Sequence, residues 1–171
     1  MNSRNAVKEI QQEIFLRPIE PEDLDHFFEF RLDEVASHMA AFTHKDPSDR
    51  RAFDIHWERA LAMESTLFRT VVCNDHVVGS VGSYVESQLG EPEVTYWIGR
   101  DHWGQGIATL ALRKFLEIQT VRPIFGRFAV DNVGSRRVLE KCGFKPHSND
   151  CSFANARGED IDEVAMVRTV P

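Results

Sequence analysis

Residues 93–116 constrain the fold more than any other part of the chain, and they read EVTYWIGRDHWGQGIATLALRKFL. The first six are rich in β-branched and aromatic residues, which predicts a strand that is covered on both faces. From Ile107 onward, apolar residues recur at helical spacing, which predicts an amphipathic helix. Between the two lie the small residues Gly104, Gly106 and Ala108. The sequence therefore predicts a strand that passes through a glycine-rich turn directly into a helix.

A turn of this kind has a consequence for ligand binding. Small residues leave the backbone N–H groups of the turn unshielded, and these groups lie at the positive end of the helix dipole. Such a site binds anions, and most often phosphate. The alternative is a plain tight connection that uses glycine only to bend the chain. The glycines alone leave both interpretations open.

Composition limits the possible partners. The chain has 171 residues, of which 42% are hydrophobic and 27% charged, which predicts one soluble globular domain. A net charge of −7 argues against nonspecific nucleic-acid binding. No apolar run is long enough to span a bilayer, and the opening residues do not resemble a signal peptide, so we expect a cytoplasmic protein. The seven histidines and three cysteines lack metal-ligand spacing, so we expect no metal.

The remaining elements predict an α/β (α+β) domain with a mixed sheet. We expect an N-terminal extension over residues 1–12 and a single domain over residues 13–171. The elements expected besides the central one are, in order, a strand at 13–19, a helix after Pro21, a looser segment at 39–42, a helix that begins at Asp46-Pro47, a hairpin of strands at 67–73 and 76–85, a strand at 123–130, a helix from Asn132 to Gly143, a loop or hairpin tip at 149–159, and a closing strand at 162–169.

A second motif follows the first by about two dozen residues. Residues 131–144 read DNVGSRRVLEKCGF, and residues 103–109 read WGQGIAT. In this order and at this spacing, the pair strongly resembles the acetyl-CoA-dependent N-acetyltransferases of the GNAT superfamily. Leu16-Arg17-Pro18 and the order of elements resemble its RimJ/RimL-type branch. The resemblance covers about residues 14–170. It implies a mostly antiparallel central sheet that is flanked by helices and splayed at the CoA-binding strand.

The resemblance implies acetyl-CoA as cosubstrate. The family's pyrophosphate turn, Q/R-x-x-G-x-G/A, falls on residues 103–108, and Trp103 replaces its usual first residue. Because backbone N–H groups hold the phosphates, we expect this departure to cost little. The cofactor-binding residues that the resemblance implies are Tyr96, Trp97 and Ile98 on the strand, Trp103, Gly104, Gln105, Gly106, Ile107, Ala108 and Thr109 at the turn, and Asn132 and Ser135 in the second motif.

Catalytic roles in the second motif are also implied by the resemblance. Asn132 matches the family asparagine that contacts the cofactor arm near the thioester. Many relatives carry, seven residues later, a tyrosine that protonates the leaving thiolate, but here that position is Leu139. In RimJ/RimL-type members a serine three residues after the asparagine is the usual substitute, and Ser135 occupies that place. A thiolate is a fairly good leaving group, so a weak donor suffices.

The resemblance places the base on the central strand. Relatives often carry a glutamate at the position of Glu93 that deprotonates the amine directly or through water. An equally open interpretation is that Glu93 is a solvated strand end next to Glu91. Glu86 is the reserve candidate for the base.

The reaction implied is direct acetyl transfer from acetyl-CoA to a primary amine in a ternary complex. The acceptor is expected to be a protein N-terminus or a small-molecule amine, in a cleft built from residues 33–60 and the hairpin at 84–92. A homodimer is also expected, because dimers are common among similar proteins. Leu139 at the tyrosine position keeps an alternative open, namely a non-catalytic module that binds and senses acyl-CoA.

Overall fold

A computed structural model describes residues 13–85 and 90–170. Within these residues the elements are, in chain order, β1 (Ile14–Arg17), α1 (Asp23–Leu32), α2 (Glu34–Ala40), α3 (Arg50–Ala62), β2 (Leu67–Cys73), β3 (His76–Val85), β4 (Pro92–Ile98), α4 (Ile107–Ile118), β5 (Ile124–Ala129), α5 (Val133–Lys141), β6 (Lys145–Ala154) and β7 (Glu159–Arg168). The strands form one sheet in the order β1-β2-β3-β4-β5-β7-β6. Only the β4–β5 pair is parallel among the described strands, so the predicted mixed, mostly antiparallel sheet is confirmed.

The parallel pair of strands is short. β4 and β5 pair only at Glu93 with Phe125 and at Val94 with Gly126. The last four residues of β4, Thr95 to Ile98, have no partner on β5, although they remain paired with β3 on the other side. The sheet therefore opens between β4 and β5, as predicted. The opening faces the glycine-rich turn that follows β4.

Helices cover both faces of the sheet. On one face lies α4, whose Ala111, Leu112 and Phe115 are each 0% exposed, and beside it lies α5 with the buried Leu139. Apolar residues recur every three to four positions along α4, so they form one stripe of the helix, and this stripe packs against the sheet. On the other face an aromatic cluster of α1 and α3 packs against β2 and β3: Phe27, Phe53, Trp57 and Phe68. The Phe/Trp stripe of α3 is therefore core.

The predicted hairpin forms between β2 and β3. Its two turn residues, Asn74 and Asp75, have φ of 49° and 64°, which suits the right-handed twist of the strands. Further along β3, a Cβ at Gly79 would lie 2.0 Å from the Trp97 carbonyl oxygen, and one at Gly82 would lie 2.2 Å from the Phe68 ring. These glycines allow β4 and a core ring to approach the strand closely.

Leu16-Arg17-Pro18 begins an anchor for α1. The Asp23 carboxylate, only 2% exposed, accepts two hydrogen bonds of 2.6 Å from the Arg17 guanidinium. It also accepts from the Thr70 hydroxyl at 2.6 Å and from the Glu20 N–H at 2.8 Å. Burial alone would raise the pKa of Asp23, but these hydrogen bonds together hold it below its usual value. The motif therefore docks α1 onto β1 and β2.

Two predictions for the first half of the chain were wrong in detail. The looser segment predicted at 39–42 holds only for residues 41 and 42, because residues 39 and 40 end the helix α2, which the prediction left out. Asp33 caps this helix by accepting from the Ala36 N–H at 2.8 Å. The next helix begins at Arg50, capped by Asp49, and not at Asp46-Pro47. Asp46 instead accepts from Ser48 within the preceding turn.

The prediction for residues 149–159 was also wrong in part. β6 continues to Ala154 in antiparallel pairing with β7, and only residues 155–158 form the hairpin tip. The polar residues that suggested a loop occur because β6 is an edge strand whose side chains are nearly all exposed.

Candidate active site

The turn between β4 and α4 requires its glycines. Gly104 and Gly106 have φ of 74° and 79°, a region that residues with a Cβ rarely adopt. Nothing lies within 4 Å of the position that a Cβ would occupy on either glycine, so space is left above the turn. Trp103 anchors the turn to the end of β4, because its indole Nε1 donates to the Ile98 carbonyl at 2.8 Å.

The first turn of α4 leaves its backbone donors open. No side chain caps α4, whereas Asp33, Asp49 and Asn132 cap three other helices. Its first intrahelical hydrogen bond runs from the Leu110 N–H to the Gly106 carbonyl at 3.1 Å. Within the described chain, no protein group occupies the N–H groups of residues 107–109. These donors lie at the positive end of the helix dipole, which fits them to a pyrophosphate.

The second motif lies where β4 leaves β5. The Asn132 side chain accepts from the Ser135 N–H at 3.0 Å, so Asn132 is the N-cap of α5. Its amide nitrogen donates to the Met39 carbonyl of α2 at 3.1 Å. From β4, the Tyr96 hydroxyl donates to the Ser135 carbonyl at 3.3 Å. Burial raises the pKa of Tyr96 to about 12, so the phenol remains a donor at neutral pH.

At the position where many relatives carry a tyrosine, this chain has a core residue, Leu139. Leu139 is 1% exposed, and a Cβ on Gly126 would lie 2.8 Å from it. Near it, the Cys142 thiol is 2% exposed and contacts the Thr109 carbonyl at 3.6 Å. Burial raises the pKa of Cys142, which keeps the thiol protonated and unsuited to act as a nucleophile.

A buried polar cluster surrounds Glu93. This residue is 7% exposed, and its carboxylate accepts from the Tyr84 hydroxyl and from Arg127 Nε, each at 3.1 Å. Arg127 Nη1 also lies 3.8 Å from a Glu163 carboxylate oxygen. Glu93 is therefore not a solvated strand end. Four residues further along the same strand face, Trp97 Nε1 is buried without a hydrogen-bond acceptor among the described residues.

Sequence reasoning missed three members of this cluster: Tyr84, Arg127 and Glu163. A signal existed for Tyr84, because it lies near the end of the predicted strand 76–85 and faces Glu93 across the antiparallel β3–β4 pair. No local pattern places Arg127 beside Glu93, since that contact depends on the register of β5 against β4.

The remaining residues predicted to bind the cofactor or to act as the base lie in different environments. Gln105 is exposed and donates to the Asp101 carbonyl at 3.2 Å, and Thr109 is 9% exposed on the buried side of α4. Glu86 lies outside the described residues. Within residues 13–85 and 90–170, no group of three or more potential metal ligands occurs, and no helix is long and apolar enough to cross a membrane.

Two grooves lie beside the expected acceptor region. One, of about 540 Å³, opens next to Arg127 and is also lined by Glu91, Phe125 and His147. The other, of about 590 Å³, lies along α2 and the loop after it, with His38, Met39, His44 and Asn155 among its lining residues. Parts of both expected segments, residues 33–60 and 84–92, therefore line open surface.

Comparison with known families settles the family. A family model described as the acetyltransferase (GNAT) domain matches residues 13–145. The chain belongs to the GNAT acetyltransferase family. As a GNAT protein it is an acyltransferase, and acetyl-CoA is its cosubstrate. The uncapped α4 and the opening between β4 and β5 fit that cosubstrate.

Similar proteins agree with this family. An uncharacterized N-acetyltransferase p20 from Bacillus licheniformis is 26% identical over 160 residues, which are 88% of this chain and 89% of the relative. The solved RimL, a ribosomal L7/L12 α-N-protein acetyltransferase in complex with coenzyme A, superimposes with a TM-score of 0.77 at 16% identity, covering 92% and 94% of the two chains. Mycobacterium smegmatis RimJ superimposes with a TM-score of 0.76 at 22% identity, and the match covers 91% of this chain and 81% of RimJ. These structural matches support the GNAT fold.

Proposed function

We propose that this GNAT protein transfers an acetyl group from acetyl-CoA directly to a primary amine in a ternary complex. One observation carries the proposal: the uncapped N-terminus of α4, with its two left-handed glycines, lies at the opening between β4 and β5. The anion-binding N–H groups of α4 and the edge of β4 that has no β5 partner therefore lie next to each other. A phosphorylated, extended cosubstrate needs both features at once.

In the proposed complex, the pyrophosphate of acetyl-CoA accepts from backbone N–H groups of residues 104–109, because the Trp103 N–H already donates to the Arg100 carbonyl. The pantetheine arm runs along Tyr96, Trp97 and Ile98, whose edges toward β5 are unpaired. This path brings the thioester toward Asn132 and Ser135, because Tyr96 contacts the Ser135 carbonyl. Trp103 supports the turn through its bond to Ile98, so its replacement of the usual residue is accommodated.

The chemical step begins with removal of a proton from the acceptor ammonium. Glu93 is the proposed base, acting directly or through a water molecule. Glu93 also attracts the ammonium electrostatically. The neutral amine nitrogen then attacks the thioester carbonyl carbon, and the carbon–sulfur bond breaks as the tetrahedral intermediate collapses. The nitrogen loses its surplus proton, which replaces, through water, the proton that the Ser135 hydroxyl gives to the leaving thiolate.

The leaving thiolate needs only a weak donor, and the Ser135 hydroxyl is the proposed one. Leu139 has no proton to give and lies in the core. The Tyr96 hydroxyl holds the Ser135 backbone carbonyl, which fixes the first turn of α5 relative to β4. We therefore assign Ser135 to thiolate protonation and Asn132 to positioning the cofactor arm.

The acceptor is proposed to be a protein N-terminus, in preference to a small-molecule amine. The resemblance to the RimJ/RimL-type branch supports this choice, since RimL is described as an α-N-protein acetyltransferase. We also propose a homodimer, which the mass of the purified protein in solution tests directly.

The experiment that tests the function uses purified protein, acetyl-CoA and a mixed panel of amines. The panel contains N-terminal peptides, amino acids and polyamines, with peptides blocked at the N-terminus as matched controls. Release of the CoA thiol that depends on a free amine supports the enzyme. Tight CoA binding with no turnover across the panel would instead favour the acyl-CoA sensor that Leu139 keeps open.

A further inference from the structure

The segment that follows α2 has a strained path. Ala41 has φ of 64° and ψ of −57°, and the Phe42 N–H donates to the Ala40 carbonyl at 2.7 Å, which defines a γ-turn with positive φ. Ala41 is an L-residue with 0% exposure, so the surrounding structure must impose this conformation. Strained backbone persists only where its neighbours over-determine it, and it is concentrated at functional sites.

Other parts of the chain hold the last residues of α2 and the turn after it, residues 38–43, which we call the acceptor wall. The contacts reach its backbone carbonyls: Arg157 Nε to His38 at 3.0 Å, Asn132 Nδ2 to Met39 at 3.1 Å, the Ala156 N–H to Ala41 at 3.1 Å and Asn155 Nδ2 to Thr43 at 2.7 Å. The donors come from the β6–β7 turn and from the start of α5. Because all four acceptors are main-chain atoms, the contacts fix the path of the wall.

Arg157 joins these two sources of contacts. Its guanidinium donates two hydrogen bonds, of 2.8 and 2.9 Å, to the Asp131 carboxylate, while its Nε holds His38. The Arg157 side chain is only 9% exposed, whereas that of Asp131 is 57% exposed. Asp131 immediately precedes Asn132, the proposed contact of the cofactor arm. A planar fork that binds a carboxylate twice fixes orientation as well as distance.

We propose that Arg157 is a positioning residue for the acceptor. It holds the acceptor wall in register with Asn132, so that the amine bound along α2 meets the thioester at the opening between β4 and β5. The inference rests on the proposed function, which places part of the acceptor cleft in residues 33–60. Sequence reasoning gave Arg157 no role, because it lies in a polar hairpin tip far along the chain from both segments.

The test compares Arg157→Met with Arg157→Lys and Asp131→Asn. The matched control is Arg136→Met, which removes an exposed Arg136–Glu140 pair of 2.9 Å on α5 that does not reach the acceptor wall. For Arg157→Met we expect the KM for the acceptor to rise about tenfold, because charge-assisted hydrogen bonds are lost, while the Kd of acetyl-CoA changes by less than about twofold. Arg157→Lys restores the charge but not the fork, so it rescues only part of the effect.

A second measurement does not depend on activity. Hydrogen exchange of the amides in residues 38–43 is expected to accelerate in Arg157→Met and in Asp131→Asn, but not in Arg136→Met. If the wild-type protein accepts no amine, the proposed function fails, yet exchange at the wall still tests the positioning role. Unchanged exchange and an unchanged KM would overturn the inference. Hydrogen exchange that accelerates evenly over the whole domain, together with weaker acetyl-CoA binding, would also overturn it, because Arg157 would then contribute only to general stability. Asp131→Asn changes an exposed carboxylate and is therefore not expected to misfold, so it tests the same contact if Arg157→Met does not fold.

Discussion

Replacing Gly106 with glutamate separates the two reasons for a glycine in the turn. The first reason is conformational: Gly106 has φ of 79°, and an L-residue in this region costs roughly 1–2 kcal/mol. No atom lies within 4 Å of the added Cβ, so no steric clash enlarges this cost. For a domain of this size, each 1 kcal/mol lowers the Tm by about 2–4 °C, so we expect a decrease of about 2–8 °C.

Gly158 provides the matched control. It lies in the β6–β7 turn with φ of 70°, and nothing lies within 4 Å of its Cβ position either. Gly158→Glu should therefore lower the Tm by the same amount as Gly106→Glu. Only the variant at position 106 brings a carboxylate to the proposed phosphate site. Two unit charges 4 Å apart repel by about 4 kcal/mol at an effective dielectric constant of 20, so CoA affinity should fall at least about 100-fold.

The assays are thermal unfolding of the free proteins and calorimetric titration with CoA at low and high salt. We expect equal Tm values for the two variants, loss of CoA binding only in Gly106→Glu, and partial recovery of that binding at high salt as the repulsion is screened. The reasoning would be refuted if Gly106→Glu bound CoA as tightly as Gly158→Glu does. The phosphates would then lie elsewhere.

Three further predictions concern catalysis, the anchor of α1 and the close approach within the sheet. Ser135→Ala should lower turnover with little change in CoA affinity, measured by initial rates and titration; an unaltered rate would remove Ser135 from the mechanism. Asp23→Asn should destabilise the protein by about 3 kcal/mol at neutral pH, because it leaves Arg17 without its buried partner. The pKa of Asp23 is lower in the folded protein than in the unfolded chain. Its contribution to the free energy of unfolding is therefore present above the pKa of the unfolded state and is lost as the pH falls through the pKa of the folded state. Urea unfolding should show that the wild type and this variant differ in stability at neutral pH and converge in acid. Gly79→Ala should lower the yield of folded protein severely, because its methyl would lie 2.0 Å from the Trp97 carbonyl; normal expression and Tm would contradict the β3–β4 approach.

Local sequence was enough to predict the central strand, turn and helix. Each of these signals acts over only a few residues: the two glycines shape the turn, the helical spacing of apolar residues predicts α4, and Asn132 begins the helix of the second motif. The Asn74-Asp75 hairpin followed in the same way, because both residues tolerate positive φ. These elements form as predicted because local preference and tertiary packing agree.

The missed elements depend on distant contacts. α2 is a short helix without a clear apolar stripe, and its C-terminal end is held by groups from Asn132 and Arg157, about a hundred residues away. β6 is an edge strand whose polar side chains resemble those of a loop. The pairing of Glu93 with Arg127 depends on the register of two strands that meet at only two positions. No local pattern encodes these contacts.

Direct transfer is tested most directly by intact-mass measurement of both the protein and the acceptor in one reaction with acetyl-CoA. We predict one acetyl group on the free amine of the acceptor for each CoA thiol released, while the protein chain itself stays unmodified, because no covalent intermediate is required. Thiol release without an acetylated acceptor, or an acetylated protein chain that forms first and then passes its acetyl group to the amine, would contradict the account.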